Sequence, residues 1–185
     1  MTPTFASAVE PTRLSLLRRL RQRHPYKIIA GLAVGIYAVI SHSMLQGEGP
    51  VRLRVDLTPL LHSPLVLQAH VAGATLAFAI GCVLLAGVKG RAMHRTLGYV
   101  WVAAMAVTAI SSFFLKGLNA DSFSVIHALS AWTMIVLPMG LAAARRKNIA
   151  KHRKEMTGLF MGGLVMAGLF SFLPGRLMWH LFFTV

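Results

Sequence analysis

Five long apolar runs constrain what this chain can fold into. Each contains about 20 residues and hardly any charged side chain. A helix rises about 1.5 Å per residue, so roughly 20 apolar residues are needed to cross a hydrocarbon core of about 30 Å. The runs therefore predict an all-α integral membrane protein with five transmembrane helices, which we number as spans one to five: Tyr26–Leu45, Leu65–Val88, Thr96–Leu115, Phe123–Ala144 and Met156–Leu173.

The composition and the short connections support this fold class. Hydrophobic residues make up 56% of the 185 residues and charged residues only 13%, which is too apolar for a soluble domain of this size. Short connections keep sequential neighbours together, so we expect spans two to five to form an antiparallel four-helix core with the first helix peripheral to it. The chain then divides into a basic leader, residues 1–25, a transmembrane helical domain, residues 26–173, and an interfacial tail, residues 174–185.

The basic residues predict the orientation of these spans. Fifteen of the nineteen Lys and Arg residues lie in the leader, at the very start of span one, and in the connections that follow spans two and four. Only Arg52, Arg54, Lys116 and Arg176 lie on the other face. The positive-inside rule therefore predicts a cytoplasmic N-terminus and an extracytoplasmic C-terminus. Topology and anionic lipid headgroups account for the net charge of +14, so we expect no nucleic-acid partner.

Several function classes are disfavoured. The five carboxylates all fall outside the spans, whereas proton-coupled and cation-coupled transporters usually need an acidic group near the bilayer midplane. The sequence has neither a phosphate-binding glycine loop nor a zinc CxxC motif, and its single cysteine, Cys82, allows no disulfide within the chain. The histidines are the remaining candidates for chemistry.

Four of the eight histidines lie one per helix, near the start of four successive spans: His70, His94, His127 and His152. Because antiparallel neighbours alternate in direction, the starts of spans two and four share the extracytoplasmic side, and those of spans three and five share the cytoplasmic side. This predicts two pairs, His70 with His127 and His94 with His152. Neutral imidazole ligates haem iron and a helical bundle can hold a macrocycle, so the pairs predict one or two haem b sites.

Small residues flank these histidines and allow two interpretations. Ser130 follows His127, and Gly98 follows His94. A stripe of small residues at helical spacing follows His70 and consists of Gly73, Ala74, Ala77 and Gly81. Such residues leave room for a porphyrin, but they also let transmembrane helices pack closely without any cofactor. The spacing of Gly158 and Gly162 is likewise typical of helix packing.

Each histidine pair also has an alternative role. His70 and His127 can hydrogen-bond to each other or to a hydroxyl such as Ser130. His94 and His152 are each followed by arginine in strongly basic connections, where they can bind phospholipid phosphates instead of iron.

The basic residues near the ends of the spans suggest further contacts. Lys89 and Arg91 on the inner side and Arg176 on the outer side are candidates to pair with haem propionates, or to attract an anionic or quinol substrate. The expected partners are thus the lipid bilayer and a quinol or another small reductant, with a larger membrane complex or a homodimer as further candidates.

The order of the four histidine segments resembles a known family. "LQAHVAG", "KGRAMHRTLG", "FSVIHALSAW" and "KHRKEMTG" are similar to the core of the b-561 transmembrane dihaem cytochromes, over about Leu65–Leu173. The resemblance implies a four-helix core in which His70, His94, His127 and His152 ligate two haems b that move electrons across the membrane.

A second resemblance concerns the architecture. "KGRAMHRTLGYVW" and "FLPGRLMW" are similar to segments of an uncharacterised bacterial membrane family, the domain of unknown function numbered 2306. This resemblance implies a multi-pass protein of the bacterial inner membrane and no particular activity.

A function of another class stays open from the sequence. The glycine-rich faces, the ten methionines and the short connections equally suit a cofactor-free membrane scaffold or accessory subunit of a larger complex. A haem b spectrum of the purified protein distinguishes the two functions.

Overall fold

The structure is a computed structural model that describes residues 25–87, 89–115 and 125–184. Nearly all of the predicted basic leader and the connection that holds Lys116 lie outside the described residues. The described chain is mostly helical. Its elements are α1 (Pro25–Met44), β1 (Arg52–Leu53), α2 (Thr58–Leu61), α3 (Leu65–Ala86), α4 (Ala92–Ser112), α5 (Val125–Arg145), α6 (Ile149–Leu159), a π-helical segment (Phe160–Met166), α7 (Ala167–Ser171), α8 (Leu177–Phe182) and β2 (Phe183–Thr184).

The long helices coincide with the predicted apolar runs. Pro64 precedes α3 and Gly87 follows it, so the residues that commonly bound helices do so here. Within the described part of the chain, two stretches are long and apolar enough to cross a membrane by length and composition, Leu65–Ala86 and Ile126–Arg145. Large apolar side chains also cover the outside of the helices, among them Leu32, Val39 and Trp132, as a bilayer environment favours.

Sequential packing arranges the helices around a common interior. Helix α4 packs against both α3 and α5, and α5 packs against α6. The π-helical segment continues α6 and packs back against α3. Helix α1 contacts the π-helical segment and α7, and beyond α7 the Tyr37 hydroxyl donates a 3.0 Å hydrogen bond to the Phe172 carbonyl. We refer to residues 65–87, 89–115 and 125–171 as the helical assembly.

An apolar cluster fills the middle of the helical assembly. Ala77 at its centre is 0% exposed, and the rings of Phe78 and Phe160 stack beside it with centroids 5.7 Å apart. Every member of the cluster is at most 6% exposed, which gives extensive dispersion contacts between helices. Its members are Ala77, Trp101, Ala104, Met105, Val136, Leu137, Leu159, Phe160 and Leu164.

A small structure at one end joins two distant parts of the chain. Strand β1 pairs antiparallel with β2, with Arg52 opposite Thr184 and Leu53 opposite Phe183. Helix α2 packs against α8 behind this pair, and Leu181 of α8 is only 1% exposed. We call residues 52–61 and 177–184 the end cap. The predicted interfacial tail therefore folds back onto the connection between α1 and α3.

Two helices begin earlier than the hydropathy pattern predicts. Helix α4 begins at Ala92 rather than Thr96, and α6 begins at Ile149 rather than Met156. Asn148 caps α6, because its side chain accepts a hydrogen bond from the Lys151 amide. Lysine and arginine are good helix formers, so a basic stretch extends a helix that hydropathy alone would end. His94 and His152 therefore lie within helices, and the prediction that they sit in basic connections is wrong.

Candidate functional site

Burial separates the described histidines into two groups. His42, His62 and His180 are exposed. The four histidines singled out from the sequence, His70, His94, His127 and His152, are all half-buried. The histidines predicted to ligate haem are thus less exposed than the other described histidines.

His70 on α3 turns toward the neighbouring helix α4. Its Nδ1 lies 3.0 Å from the Thr108 carbonyl oxygen and 3.1 Å from the Ser111 hydroxyl oxygen. A carbonyl oxygen can only accept, so the His70 Nδ1 carries a proton. The Ser111 hydroxyl donates a 2.7 Å hydrogen bond to the Val107 carbonyl. Its oxygen can therefore also accept a hydrogen bond from His70. In the neutral ring the Nε2 atom then keeps its lone pair.

His152 on α6 repeats this arrangement at the other end of the helical assembly. Its Nδ1 lies 3.0 Å from the carbonyl oxygen of Gly140 on α5. The carbonyl again requires the proton on Nδ1 and leaves the lone pair on Nε2. Two of the four candidate histidines therefore present the same tautomer, and each is held by a backbone carbonyl of an adjacent helix.

His94 lies close to His152 and to Lys89. It is half-buried and lies in the first turn of α4. Neutral imidazole is the form that ligates a metal. The two histidines of the pair predicted for the cytoplasmic side therefore lie within electrostatic range of each other.

His127 on α5 packs against the same end of α4 that holds His70. The centroids of its ring and of the Phe113 ring are 6.2 Å apart, with the planes tilted by 53°. Phe113 follows directly after Ser112, and His70 binds Thr108 and Ser111 one turn earlier. His70 and His127 therefore belong to one level of the helical assembly.

Hydroxyl groups gather at this same level. The buried polar side chains of the described residues are Ser111, Ser112, Ser130 and Thr133. The hydroxyls of Ser112 and Ser130 hydrogen-bond to each other across the α4–α5 interface. Ser130 therefore joins two helices, and Ser111 is the hydroxyl that His70 uses.

The small residues near the histidines differ in how closely neighbouring helices pack against them. A Cβ atom at Gly73 would lie 2.9 Å from the Thr108 hydroxyl oxygen, and one at Gly81 would meet the Phe160 ring and lie 3.0 Å from the Trp101 Nε1. These two positions serve close helix packing. A Cβ at Gly98, one turn after His94, would meet nothing within 4 Å. Open space therefore adjoins His94 and not the glycine stripe below His70.

The basic candidates lie at the ends of the helices. The Lys89 Nζ donates to the Leu85 and Gly87 carbonyls at 2.5 and 2.8 Å and so caps the end of α3. Arg91 is exposed at the start of α4, and Arg176 is exposed at the start of α8 in the end cap. In this arrangement Lys89 stabilises a helix terminus.

The donor chemistry of the histidines fits haem iron. A metal-bound imidazole usually donates its other N–H to a carbonyl, which fixes the tautomer and orients the ring. His70 and His152 have that arrangement, and each Nε2 has no hydrogen-bond partner among the described residues. The two ends of the assembly differ in the space beside their histidines. Gly98 leaves room beside His94, whereas Thr108 fills the position beside Gly73.

Sequence reasoning missed the groups that hold the histidines. The carbonyls of Thr108 and Gly140 have no residue-type signature, so hydropathy and spacing do not identify them. The hydroxyl of Ser111 could have been identified from the sequence. Thr108 and Ser111 are polar residues three positions apart in an apolar span, so they share one face of the helix.

Comparisons with known proteins point to one family. The family described as "Predicted membrane protein (DUF2306)" matches residues 67–183, which is well over half of the chain. This region contains all four candidate histidines, the helical assembly almost entirely, and the second part of the end cap. No curated protein and no solved structure matches the chain significantly.

Proposed function

We propose, on the premise that this chain belongs to the DUF2306 family of predicted membrane proteins, that it is a transmembrane electron-transfer protein of cytochrome b type. The proposal includes five transmembrane helices, with an antiparallel four-helix core built from α3 to α7 and with α1 peripheral. It places the protein in the bacterial inner membrane with its N-terminus in the cytoplasm. The histidine pairs His70–His127 and His94–His152 would hold one or two haems b.

A single observation carries the proposal. At each end of the helical assembly one half-buried imidazole, His70 or His152, donates its Nδ1 proton to a backbone carbonyl of the next helix. A backbone carbonyl is a rigid acceptor, so the ring is oriented before any ligand binds, and the Nε2 lone pair remains available. An ionisable side chain held in this way inside an apolar assembly is a functional-site candidate by default.

The two ends are separated by the apolar cluster. Thr108, which binds His70, and His94 are 14 residues apart on α4, or about 21 Å along the helix axis. When bound, haem supplies a one-electron iron couple at each end. The residues of the chain hold and orient the ligands, and the cluster around Ala77 and Met105 excludes water from the region between them.

The optical spectrum tests this function. We expect full-length protein, purified in mild detergent from cells supplied with a haem precursor, to show a Soret band and, after reduction, the sharp bands of low-spin haem b. Extraction of the haem and its quantification per chain distinguish one site from two. A colourless protein that is folded by circular dichroism overturns the proposal.

A reporter fusion series tests the orientation. We expect a reporter placed after Leu45, or within residues 116–121, to be active on the extracytoplasmic side, and one placed between Arg145 and Lys154 to be active in the cytoplasm. The physical reason is the bias of basic residues toward one set of connections. Alkaline phosphatase and green fluorescent protein fusions, which are active on opposite sides, serve as reciprocal controls. The reverse pattern would invalidate the pairing of the histidines by side.

A cofactor-free scaffold remains the second candidate, and one observation favours it. Gly73 and Gly81 on α3 are in close contact with Thr108, Trp101 and Phe160, so the stripe that follows His70 is filled by neighbouring helices. Close packing at small residues is by itself sufficient to hold transmembrane helices together. A folded but colourless protein would select this function.

A further inference from the structure

The end cap contains a cleft that the proposed electron transfer does not use. It is an open cleft of about 360 Å³, near the lower end of the size range of sites for small ligands. Its lining consists of Arg54, Asp56, Trp179, His180, Phe183 and Thr184. The cleft therefore lies between the connection that precedes α3 and the last described residues of the chain.

Backbone pairing makes the walls of this cleft rigid. Beyond the β1–β2 pair, the Arg54 amide donates to the Phe182 carbonyl and the Asp56 amide donates to the Leu181 carbonyl, each at 2.9 Å. The side chains of Leu181 and Trp179 are buried and anchor α8. Arg54 and His180 thus project from a framework whose position is set by main-chain hydrogen bonds.

Among the described residues, the Arg54 guanidinium brings unused hydrogen-bond donors to the cleft. An arginine has five N–H donors, and Arg54 uses one nitrogen in a 3.1 Å hydrogen bond to the Asp56 carboxylate. The other oxygen of Asp56 accepts a 3.0 Å hydrogen bond from the Thr58 amide, and the hydrogen bonds from Thr58 lower the pKa of Asp56. The exposed His180 adds a second side chain that can donate. The unused arginine donors favour an anionic oxygen as ligand.

One wall of the cleft is aromatic. The rings of Trp179 and Phe183 are 4.6 Å apart between centroids, with an angle of 32° between their planes. Phe182 stacks on Phe172 behind them at 5.8 Å, which holds the aromatic group in place. A ligand whose anionic end reaches Arg54 would lay its remaining surface against Phe183.

We propose that the end cap cleft binds a small organic anion in which a carboxylate is joined to a flat apolar or aromatic body. The carboxylate accepts hydrogen bonds from the Arg54 guanidinium and the His180 ring, and the body packs on the Phe183–Trp179 wall. This site is independent of haem, because no candidate haem ligand lines it.

Calorimetric titration of full-length protein in phosphatidylcholine nanodiscs tests the site with benzoate as the probe. We expect saturable binding of one benzoate per chain. Acetate, which lacks the apolar body, and benzyl alcohol, which lacks the charge, should each bind at least about tenfold more weakly, because each loses one of the two contacts. Benzoate binding that is absent, or no tighter than that of acetate, overturns the proposal.

Two arginines offer a matched pair of variants. Arg54→Gln should weaken benzoate binding about tenfold or more, whereas Arg52→Gln, an exposed arginine outside the cleft lining, should leave it unchanged. Arg54 is exposed and its ion pair with Asp56 is near the surface, so the loss of this pair should leave the fold intact, and circular dichroism verifies this. Equal effects of the two variants assign binding to general charge and overturn the proposal. Loss of benzoate binding in phosphatidylglycerol nanodiscs assigns the cleft to lipid headgroups, which also overturns it.

Discussion

We expect His70→Ala to abolish one of two haem b signals while the other persists. The iron at that end loses an axial ligand, and the hydroxyls around it, such as those of Ser111 and Ser130, are poor ligands for haem iron. His127→Ala should have the same effect, because both histidines pack on the same end of α4. The measurement is the reduced-minus-oxidised spectrum together with haem content per chain, which should fall by about half. If one haem is present in the wild type and His70 binds it, the loss is complete.

Reciprocal and neutral variants make this result specific. His94→Ala and His152→Ala should remove the other signal, and they should leave both signals unchanged if those residues bind only lipid phosphate. His62→Ala is the matched control, because His62 is exposed and lies eight residues before His70 in the chain. Wild-type haem content in His70→Ala would contradict the ligand assignment while leaving cytochrome function open, whereas a wild-type protein without haem contradicts the function itself.

The helices were predictable because hydropathy and length determine them together. Each of the apolar runs coincides with helix in the described residues, because a helix satisfies the backbone hydrogen bonds of an apolar stretch within the stretch itself. The starts of α4 and α6 were not predictable from hydropathy, because capping and helix propensity determine where these helices begin. Asn148 and the basic residues after it add two turns to α6 and bring His152 into the helix.

The end cap could not be derived from spacing. Residues 52–53 and 183–184 are about 130 positions apart, and two-residue strands give no alternation pattern. Their pairing depends on where α3 begins and α7 ends in space, which is a property of the whole helical assembly. The sequence singles out the candidate histidines and their pairing as a prediction, whereas the orientation of His70 and His152 depends on the Thr108 and Gly140 carbonyls, which every residue type would supply equally.

Gly81→Ala should destabilise the protein by about 1–3 kcal/mol, the usual cost of inserting a methyl group into a filled interior. The new Cβ would meet the Phe160 ring and the Trp101 Nε1, and both rings are buried in the apolar cluster and unable to move aside. The midpoint of unfolding in a denaturing detergent titration, followed by circular dichroism, measures the effect.

Gly158→Ala is the control for this substitution. A Cβ at Gly158 meets nothing within 4 Å, so the change should be neutral or stabilise the helix by up to about 1 kcal/mol. Unchanged stability of Gly81→Ala would mean that the face of α3 at Gly81 has room beside it. In that case the space is available to a cofactor, and the scaffold function would lose the packing observation that favours it. Destabilisation by Gly81→Ala alone shows that the glycine stripe packs helices, so any haem must bind at the ends of the assembly, where the half-buried histidines lie.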